Sequence, residues 1–173
     1  MTVAKPYTIM TVCTGNICRS PMGEIILRHV VKKRGLSSKI SVESSGVSDE
    51  EWGHPIDPRA VRVLKERGYG PEIPQDHFAH RITPEEIERT DLFLPMTASH
   101  MRALLRQLPA GKRAEVHMYR SFDPRLPKPQ PGREDAIDLV DPWYGGMREF
   151  QVAIDQIEAV APYVIDWVER RIA

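Results

Sequence analysis

The chain has 173 residues, 41% hydrophobic and 28% charged, which supplies apolar side chains for a core and argues against disorder. Its 24 Lys and Arg are matched by 24 Asp and Glu, so the basic excess of a nucleic-acid-binding protein is missing. No apolar run approaches the roughly 20 residues that cross a bilayer, and two cysteines do not build a disulfide-stapled scaffold.

Met1 to Pro6 has neither the charged start nor the apolar core of a signal peptide. The expectation is one domain over residues 1–173: soluble, cytoplasmic and monomeric, with neither nucleic acid nor membrane as a partner.

Tyr7–Val12 is β-branched and apolar, the pattern of a buried strand. A polar turn, Cys13–Ser20, leads to Pro21, which suits a first helical position because its missing N–H has no partner there. That helix runs to about Arg34, with Gly35 as its stop. Lys39–Glu43 reads as a second strand and Ser44–Ile56 as a loop. Asp57-Pro58 is a cap and first helical residue, opening a helix whose inward positions are Val61, Leu64 and Val63. Gly68 ends it.

Thr83-Pro84-Glu85-Glu86 is a capping box. Asp91–Met96 is a third strand ending at Pro95, and Thr97 or Ser99 caps a helix carrying Met101, Leu104, Leu105 and Leu108. Glu115–Tyr119 reads as a short fourth strand. Ser121–Val140 is a long Pro-rich loop, a length often tied to function. Met147–Ile172 keeps helical spacing, with Pro162 as a kink or a division. Strands alternating with helices predict a four-stranded parallel sheet with helices on both faces, its active site beyond the carboxyl ends of the strands. Cys13 lies at such an end.

The chemistry concentrates in Val12-Cys13-Thr14-Gly15-Asn16-Ile17-Cys18-Arg19-Ser20-Pro21. A tight turn of backbone N–H groups followed by a helix N-terminus is an anion cradle. Gly15 allows backbone geometry that a Cβ would obstruct, and the planar fork of Arg19 holds two oxygens of a tetrahedral oxyanion. A thiol in such a field ionises readily and becomes a nucleophile. Cys13 is therefore the candidate nucleophile, and Ser20 a donor to its sulfur. The alternative, a buried inert thiol, is the commoner fate of a lone cysteine but does not account for the glycine, arginine and serine around it. Cys18, in the same loop, is either a packing thiol or the resolving partner of an oxidised Cys13. No G-x-G-x-x-G or G-K-[ST] is present in the loop, so a nucleotide-binding reading fails.

Three Asp-Pro pairs compete for the role of proton donor. Asp57 looks like a helix cap and Asp123 like a turn residue. Asp141 precedes Trp143, Tyr144, Gly145 and Gly146, a flat-walled stretch suited to an aryl group. The two rings are otherwise core aromatics. His77 and His80 stand three apart without a third ligand at metal-like spacing, so they read as surface or packing histidines. His54, His100 and His117 have no motif around them.

The cradle and Asp141-Pro142-Trp143-Tyr144-Gly145 together resemble the paired signatures of the low-molecular-weight protein tyrosine phosphatases, in the same order and over essentially the whole chain. The resemblance implies hydrolysis of tyrosine-phosphorylated protein and small aryl phosphates without metal or other cofactor. In that scheme Cys13 attacks phosphorus, Arg19 and the loop Thr14, Gly15, Asn16, Ile17, Cys18 and Ser20 hold the phosphate, and Asp141 protonates the leaving group. Trp143 and Tyr144 wall the pocket; Asn16 and Ser44 brace the loop. Where the family usually has S-A-G-T, this chain has Ser44-Ser45-Gly46-Val47. The nearby aromatic is displaced to Trp52 behind Asp49-Glu50-Glu51, which points to an acidic wall. Thr97 stands where an Asp is usual, and Pro124–Arg133 looks inserted, above the acid.

Two relatives of this chemistry compete. An arsenate reductase of the same fold needs further cysteines, and none follows Cys18. A phosphoarginine phosphatase carries Thr where Ile17 stands. A phosphate-binding or redox-regulated module without turnover needs no Asp141.

Overall fold

The computed structural model describes residues 2–173. Three strands, β1 (Tyr7–Cys13), β2 (Ile40–Gly46) and β3 (Leu92–Pro95), form a parallel sheet in the order β2-β1-β3. Five α-helices accompany them: α1 (Arg19–Lys33), α2 (Pro58–Glu66), α3 (Pro84–Arg89), α4 (Ala98–Gln107) and α5 (Met147–Ile172).

The sheet is covered on both faces, as its apolar strands require. Ile9, Ile40, Val42, Leu92 and Leu94 pack with α1, α2 and α5, while Met10, Val12 and Phe93 meet Leu104 and Leu108 around α4. Alternation along β1 sends Met10 and Val12 one way and Ile9 the other. Thr11, fully buried, satisfies its hydroxyl by donating to the Ser20 carbonyl at 2.7 Å, which ties the central strand to the first turn of α1.

The predicted fourth strand is corrected to a single bridge, between Val116 and Phe93, with His117 N–H donating to the Phe93 carbonyl at 3.0 Å. Two 3₁₀ turns, Ala110–Glu115 and Tyr119–Phe122, leave only three residues between them to pair. Tyr119 is the reason the ladder stops: its side chain is fully buried and its hydroxyl donates to the Ile157 carbonyl of α5 at 2.7 Å. The chain therefore leaves the sheet to seat that ring.

Other boundaries move for equally local reasons. β2 runs on to Gly46 because Ser44, Ser45 and Gly46 continue the register against Thr11, Val12 and Cys13. α1 begins at Arg19, so Pro21 is its third residue, still within the turn whose amides need no helical partner. Ala60, Val63 and Leu64 are the buried face of α2, and Val61 is only partly covered. α5 continues through Pro162 as one helix. The capping box at Thr83, the caps at Asp57 and Thr97, and the left-handed Gly35 and Gly68 stand where the sequence predicts them. Among the described residues, no helix is long and apolar enough to cross a membrane.

Candidate active site

The central strand delivers Cys13 to the carboxyl edge of the sheet, and only residues 14–18 separate it from the start of α1. So short a connection fits only if β2 comes close. Gly46 lies opposite Cys13, and a Cβ there would stand 2.5 Å from the Thr14 carbonyl oxygen and 3.3 Å from the Asn16 nitrogen. Backbone cannot yield to that contact, so glycine is required at 46. The expectation for Gly15 needs correction: the left-handed residue of the loop is Asn16, at φ 63°. A Cβ on Gly15 would meet the flexible side chain of Glu51 instead, at 2.7 Å.

Asn16 is fully buried, and its side-chain amide and its carbonyl are all bonded. Its Nδ2 donates to Ser20 Oγ and Ser44 Oγ, both at 3.0 Å. Its carbonyl accepts from His77 Nε2 at 2.7 Å, which fixes the proton of that ring on Nε2, and its Oδ1 accepts from the His80 amide at 3.3 Å. Burial holds the pKa of His77 below the ordinary imidazole value. His80 in turn pairs with Glu86, Nε2 to Oε2 at 2.9 Å. The hydrogen bond to that carboxylate raises His80 against the opposing effect of its burial. Burial works against ionising Glu86, but His80 and the Thr83 amide outweigh it and lower its pKa. The two histidines are thus packing residues with a purpose: they hold the strained Asn16 from behind.

Cys13 is 3% exposed, with Sγ 3.0 Å from Ser20 Oγ. Ser20 Oγ already accepts from Asn16, so its own proton is available to the sulfur. Among the described residues the amides of Gly15, Asn16, Ile17 and Cys18 donate to no protein acceptor, which leaves them for an anion. Both cysteines are free thiols. Burial, reinforced by Asp57 and Cys13, pushes the Cys18 thiol far up, so Cys18 is not the nucleophile of the loop.

Arg19 is nearly buried; Nη1 donates to the Leu139 carbonyl at 3.2 Å and Nη2 lies 3.4 Å from Asp141 Oδ2. Asp141 also accepts from the Trp143 amide at 3.1 Å. Asp123 is held by Arg125 at 2.8 Å and stands outside the cavity, and Asp57 caps α2. Asp57 meets the cradle only through its backbone, its N–H donating to the Ile17 carbonyl at 2.9 Å, so of the three Asp-Pro pairs Asp141 alone lines the cavity.

One cavity of about 250 Å³ gathers these groups. Cys13, Thr14, Gly15, Ile17, Cys18 and Arg19 form its floor, and Asp141, Trp143 and Tyr144 one side. Tyr144 is 90% exposed and Trp143 41%, so both rings belong to the mouth and not to the core. Of the acidic wall expected from the sequence, Glu50 and Glu51 line the cavity; Asp49 does not, and faces Arg81 at 3.9 Å. Trp52 does not line it; it packs edge-on against Phe78 at 5.1 Å. No residue of Pro124–Arg133 lines the cavity either. Asn16, Ser20 and Ser44 stand behind the floor, as braces.

The sequence places no motif around His100 and so marks no role for it. Its Nε2 lies 2.8 Å from Thr14 Oγ1, the residue after Cys13, and burial together with Arg19 pushes its pKa down to about 3. It is a neutral clamp. Arg59, on α2, was equally unmarked, yet it bonds the carbonyls of Trp143 and Gly145 at 3.2 and 3.1 Å. Among the described residues no group of three or more His, Cys, Asp or Glu side chains is arranged to hold a metal ion.

Comparison with known proteins agrees with this geometry. The family model described as low molecular weight phosphotyrosine protein phosphatase matches residues 8–172. Low molecular weight protein-tyrosine phosphatase A of Mycobacterium tuberculosis is 38% identical over 171 residues, 99% of this chain and 97% of the relative. The human low molecular weight phosphotyrosine protein phosphatase is 32% identical, covering 86% of this chain and 87% of its own. Among solved structures, a low molecular weight phosphotyrosine phosphatase from Vibrio cholerae superposes with a TM-score of 0.81 at 27% identity, covering 95% and 98% of the two chains. An arginine phosphatase from Geobacillus stearothermophilus reaches 0.75 at 26% identity over 96% and 95%, so this fold alone does not choose the phosphorylated residue.

Proposed function

Because the chain belongs to the low molecular weight phosphotyrosine protein phosphatase family and is a hydrolase, we propose that it cleaves protein phosphotyrosine through a cysteinyl-phosphate intermediate. The observation that carries the reading is the meeting of Cys13, Arg19 and Asp141 on one cavity whose mouth holds two rings.

Cys13 Sγ attacks phosphorus in line with the aryl oxygen. The S–P bond forms as the P–O bond breaks, and Asp141 gives its proton to the departing phenolate. The fork of Arg19 and the free loop amides hold the equatorial oxygens, where charge changes least expensively if the donors are already in place. Asp141, now a carboxylate, takes a proton from water; the oxygen of that water attacks phosphorus and the thiolate leaves, supported by the Ser20 hydroxyl. Ile17, Trp143 and Tyr144 fit a phenyl ring, whereas the short stem of phosphoserine buries little against them.

The direct test is hydrolysis of para-nitrophenyl phosphate and of phosphotyrosine, phosphoserine and phosphoarginine peptides without added metal or thiol donor, with acid-quench trapping of a labelled cysteine. Phosphotyrosine should be the preferred peptide substrate by a wide margin. Equal rates on phosphoserine, or faster release from phosphoarginine, would overturn the substrate assignment. Peroxide should oxidise Cys13 to a sulfenic acid, which Cys18 condenses with to give a disulfide and water. Cys18→Ser should then recover less completely on addition of dithiol; equal recovery removes that role.

A further inference from the structure

Asp141 has to stand over the cradle, yet its side chain is 42% exposed and the rings after it lie at the surface. What fixes this stretch comes from α2, outside the cavity. Arg59, the second residue of α2, is forked onto Asp57, with Nε 3.1 Å from Oδ1 and Nη2 3.0 Å from Oδ2. Asp57 is itself immobilised: it is 7% exposed and caps α2 by accepting from the Arg59 amide at 2.8 Å. The guanidinium also lies over Phe150, a fully buried ring of α5, at 4.7 Å from its centroid.

From that platform Nη1 donates to the Trp143 and Gly145 carbonyls, and the Trp143 ring lies 5.4 Å from the guanidinium carbon. Four hydrogen bonds therefore draw on the five N–H donors of one side chain. Two reach a buried carboxylate and two reach the segment next to Asp141. Arg59 does not line the cavity and touches no reacting atom.

We infer that Arg59 is a positioning residue for the general acid: its fork holds the 143–145 backbone against the Asp57 cap and so sets Asp141 over the leaving-group oxygen. The inference rests on the assignment of Asp141 as the acid and deepens it. The fork matters more than the charge, because a lysine ammonium has three donors on a flexible stem and cannot serve the carboxylate and two carbonyls in one plane.

The test compares the parent protein with Arg59→Lys, Arg59→Gln and Asp141→Asn on aryl phosphates of graded leaving-group pKa. kcat/KM is read because it reports the step that expels the aryl oxide. Arg59→Lys should lose about 10-fold on poor leaving groups and little on good ones, a fraction of the 10²–10⁴ range of general acid catalysis. Inhibition by inorganic phosphate should be unchanged, since the cradle is intact. In a Trp52→Phe, Trp167→Phe background the Trp143 emission should shift in both Arg59 variants. Arg59→Gln also leaves Asp57 unpaired, so Arg59→Lys, which keeps a cation there, decides the matter if Arg59→Gln fails to fold. A uniform loss across leaving groups, or no loss at all in folded Arg59→Lys, overturns the inference. If Asp141→Asn shows no leaving-group dependence, the acid assignment fails instead. The Trp143 emission then decides alone: a shift upholds the tether, and an unmoved spectrum ends it.

Discussion

The cradle and the acid loop are the two halves of the site, and they are built on opposite principles. Asn16 and Ser20 are fully buried and Cys13 and Ser44 nearly so; neutral hydrogen bonds from Ser44 of β2, His77 and His80 converge on Asn16, which passes them on to Ser20 and so to Cys13. Across the cavity, Trp143 and Tyr144 are exposed, and the segment is tied down by two arginines, Arg19 at Asp141 and Arg59 at the carbonyls beyond it. Groups that stabilise developing charge gain only if they need not reorganise, so the cradle is buried and braced from behind, with its loop amides left free for an anion. The stretch proposed to donate the proton has to admit substrate, and it stands at the surface on a few strong tethers.

The sharpest way to separate the halves is to remove the proposed nucleophile. Cys13→Ser should lower turnover by about 10⁴-fold or more, as removal of a nucleophile does elsewhere, while inorganic phosphate still binds, measured by calorimetry. Arg19→Lys should lose phosphate binding as well, because the planar fork is gone. Substantial turnover in Cys13→Ser would refute the assignment. Asp141→Asn comes next, lowering kcat by about 10²–10⁴ with phosphate affinity kept. If Asp123→Asn shows the leaving-group dependence and Asp141→Asn does not, the two halves have been paired wrongly.

The bracing of the cradle has its own pH signature. The pKa of His80 is raised by its bond to Glu86, so its contribution is full below the unfolded imidazole value of about 6.5 and is lost as pH rises through the folded value. The pKa of Glu86 is lowered, so its contribution is full above its unfolded value and is lost as pH falls through the folded one. The pair should stabilise most between about pH 4.5 and 6.5. Glu86→Gln should cost about 1.5–3 kcal/mol in that window, the worth of a hydrogen bond to a charged group, and less at pH 8. Urea unfolding at both pH values reads it, and a pH-independent cost would mean that the pair does not titrate as a unit.

The contrast between the halves also explains which of them the sequence made legible. The cradle is a strand, a turn and a helix start in one run, so its roles follow from local chemistry, and Asp141 is marked by the rings beside it. The tethers are different. His77 reaches Asn16 across 61 residues, Arg59 reaches Trp143 across 84 and Thr14 meets His100 across 86. No local pattern distinguishes such an arginine from a solvated one, or such a histidine from a packing one. Asp57 reads as a cap and is one; that its carboxylate also holds the arginine bonded to the Trp143 and Gly145 carbonyls needed the fold. The fourth strand failed in reverse, since Glu115–Tyr119 has the local pattern of a strand but Tyr119 gains more by burial against α5.

Within the mouth, Trp143→Ala should raise KM for phosphotyrosine peptides by up to about tenfold, the scale of 0.5–1.5 kcal/mol for an aromatic contact, with kcat nearly kept. Phosphoserine peptides should lose less, so the gap between the substrates narrows. A fall in kcat with constant KM would instead assign the ring to holding Asp141.

The smallest effect belongs to the wall facing those rings. Glu51 has a partner in His54, Nδ1 to Oε2 at 2.6 Å, whereas Glu50 is exposed and, among the described residues, in no ion pair. Its Oε1 lies 3.7 Å from where a Cβ on Gly15 would stand, so its charge faces the edge of the cradle. That placement works weakly against a dianionic phosphate and in favour of a cation beside it. Peptides with Lys or Arg flanking the phosphotyrosine should therefore exceed their Glu counterparts in kcat/KM. An exposed pair is worth about 0.2–1 kcal/mol, so the preference should be at most about fivefold, and it should fade in 0.5 M salt as screening shortens the reach of the charge. Glu50→Gln should erase most of it while slightly lowering KM for para-nitrophenyl phosphate, which has no flanking residue to read. A preference that survives both the substitution and the salt would place its origin elsewhere on the rim.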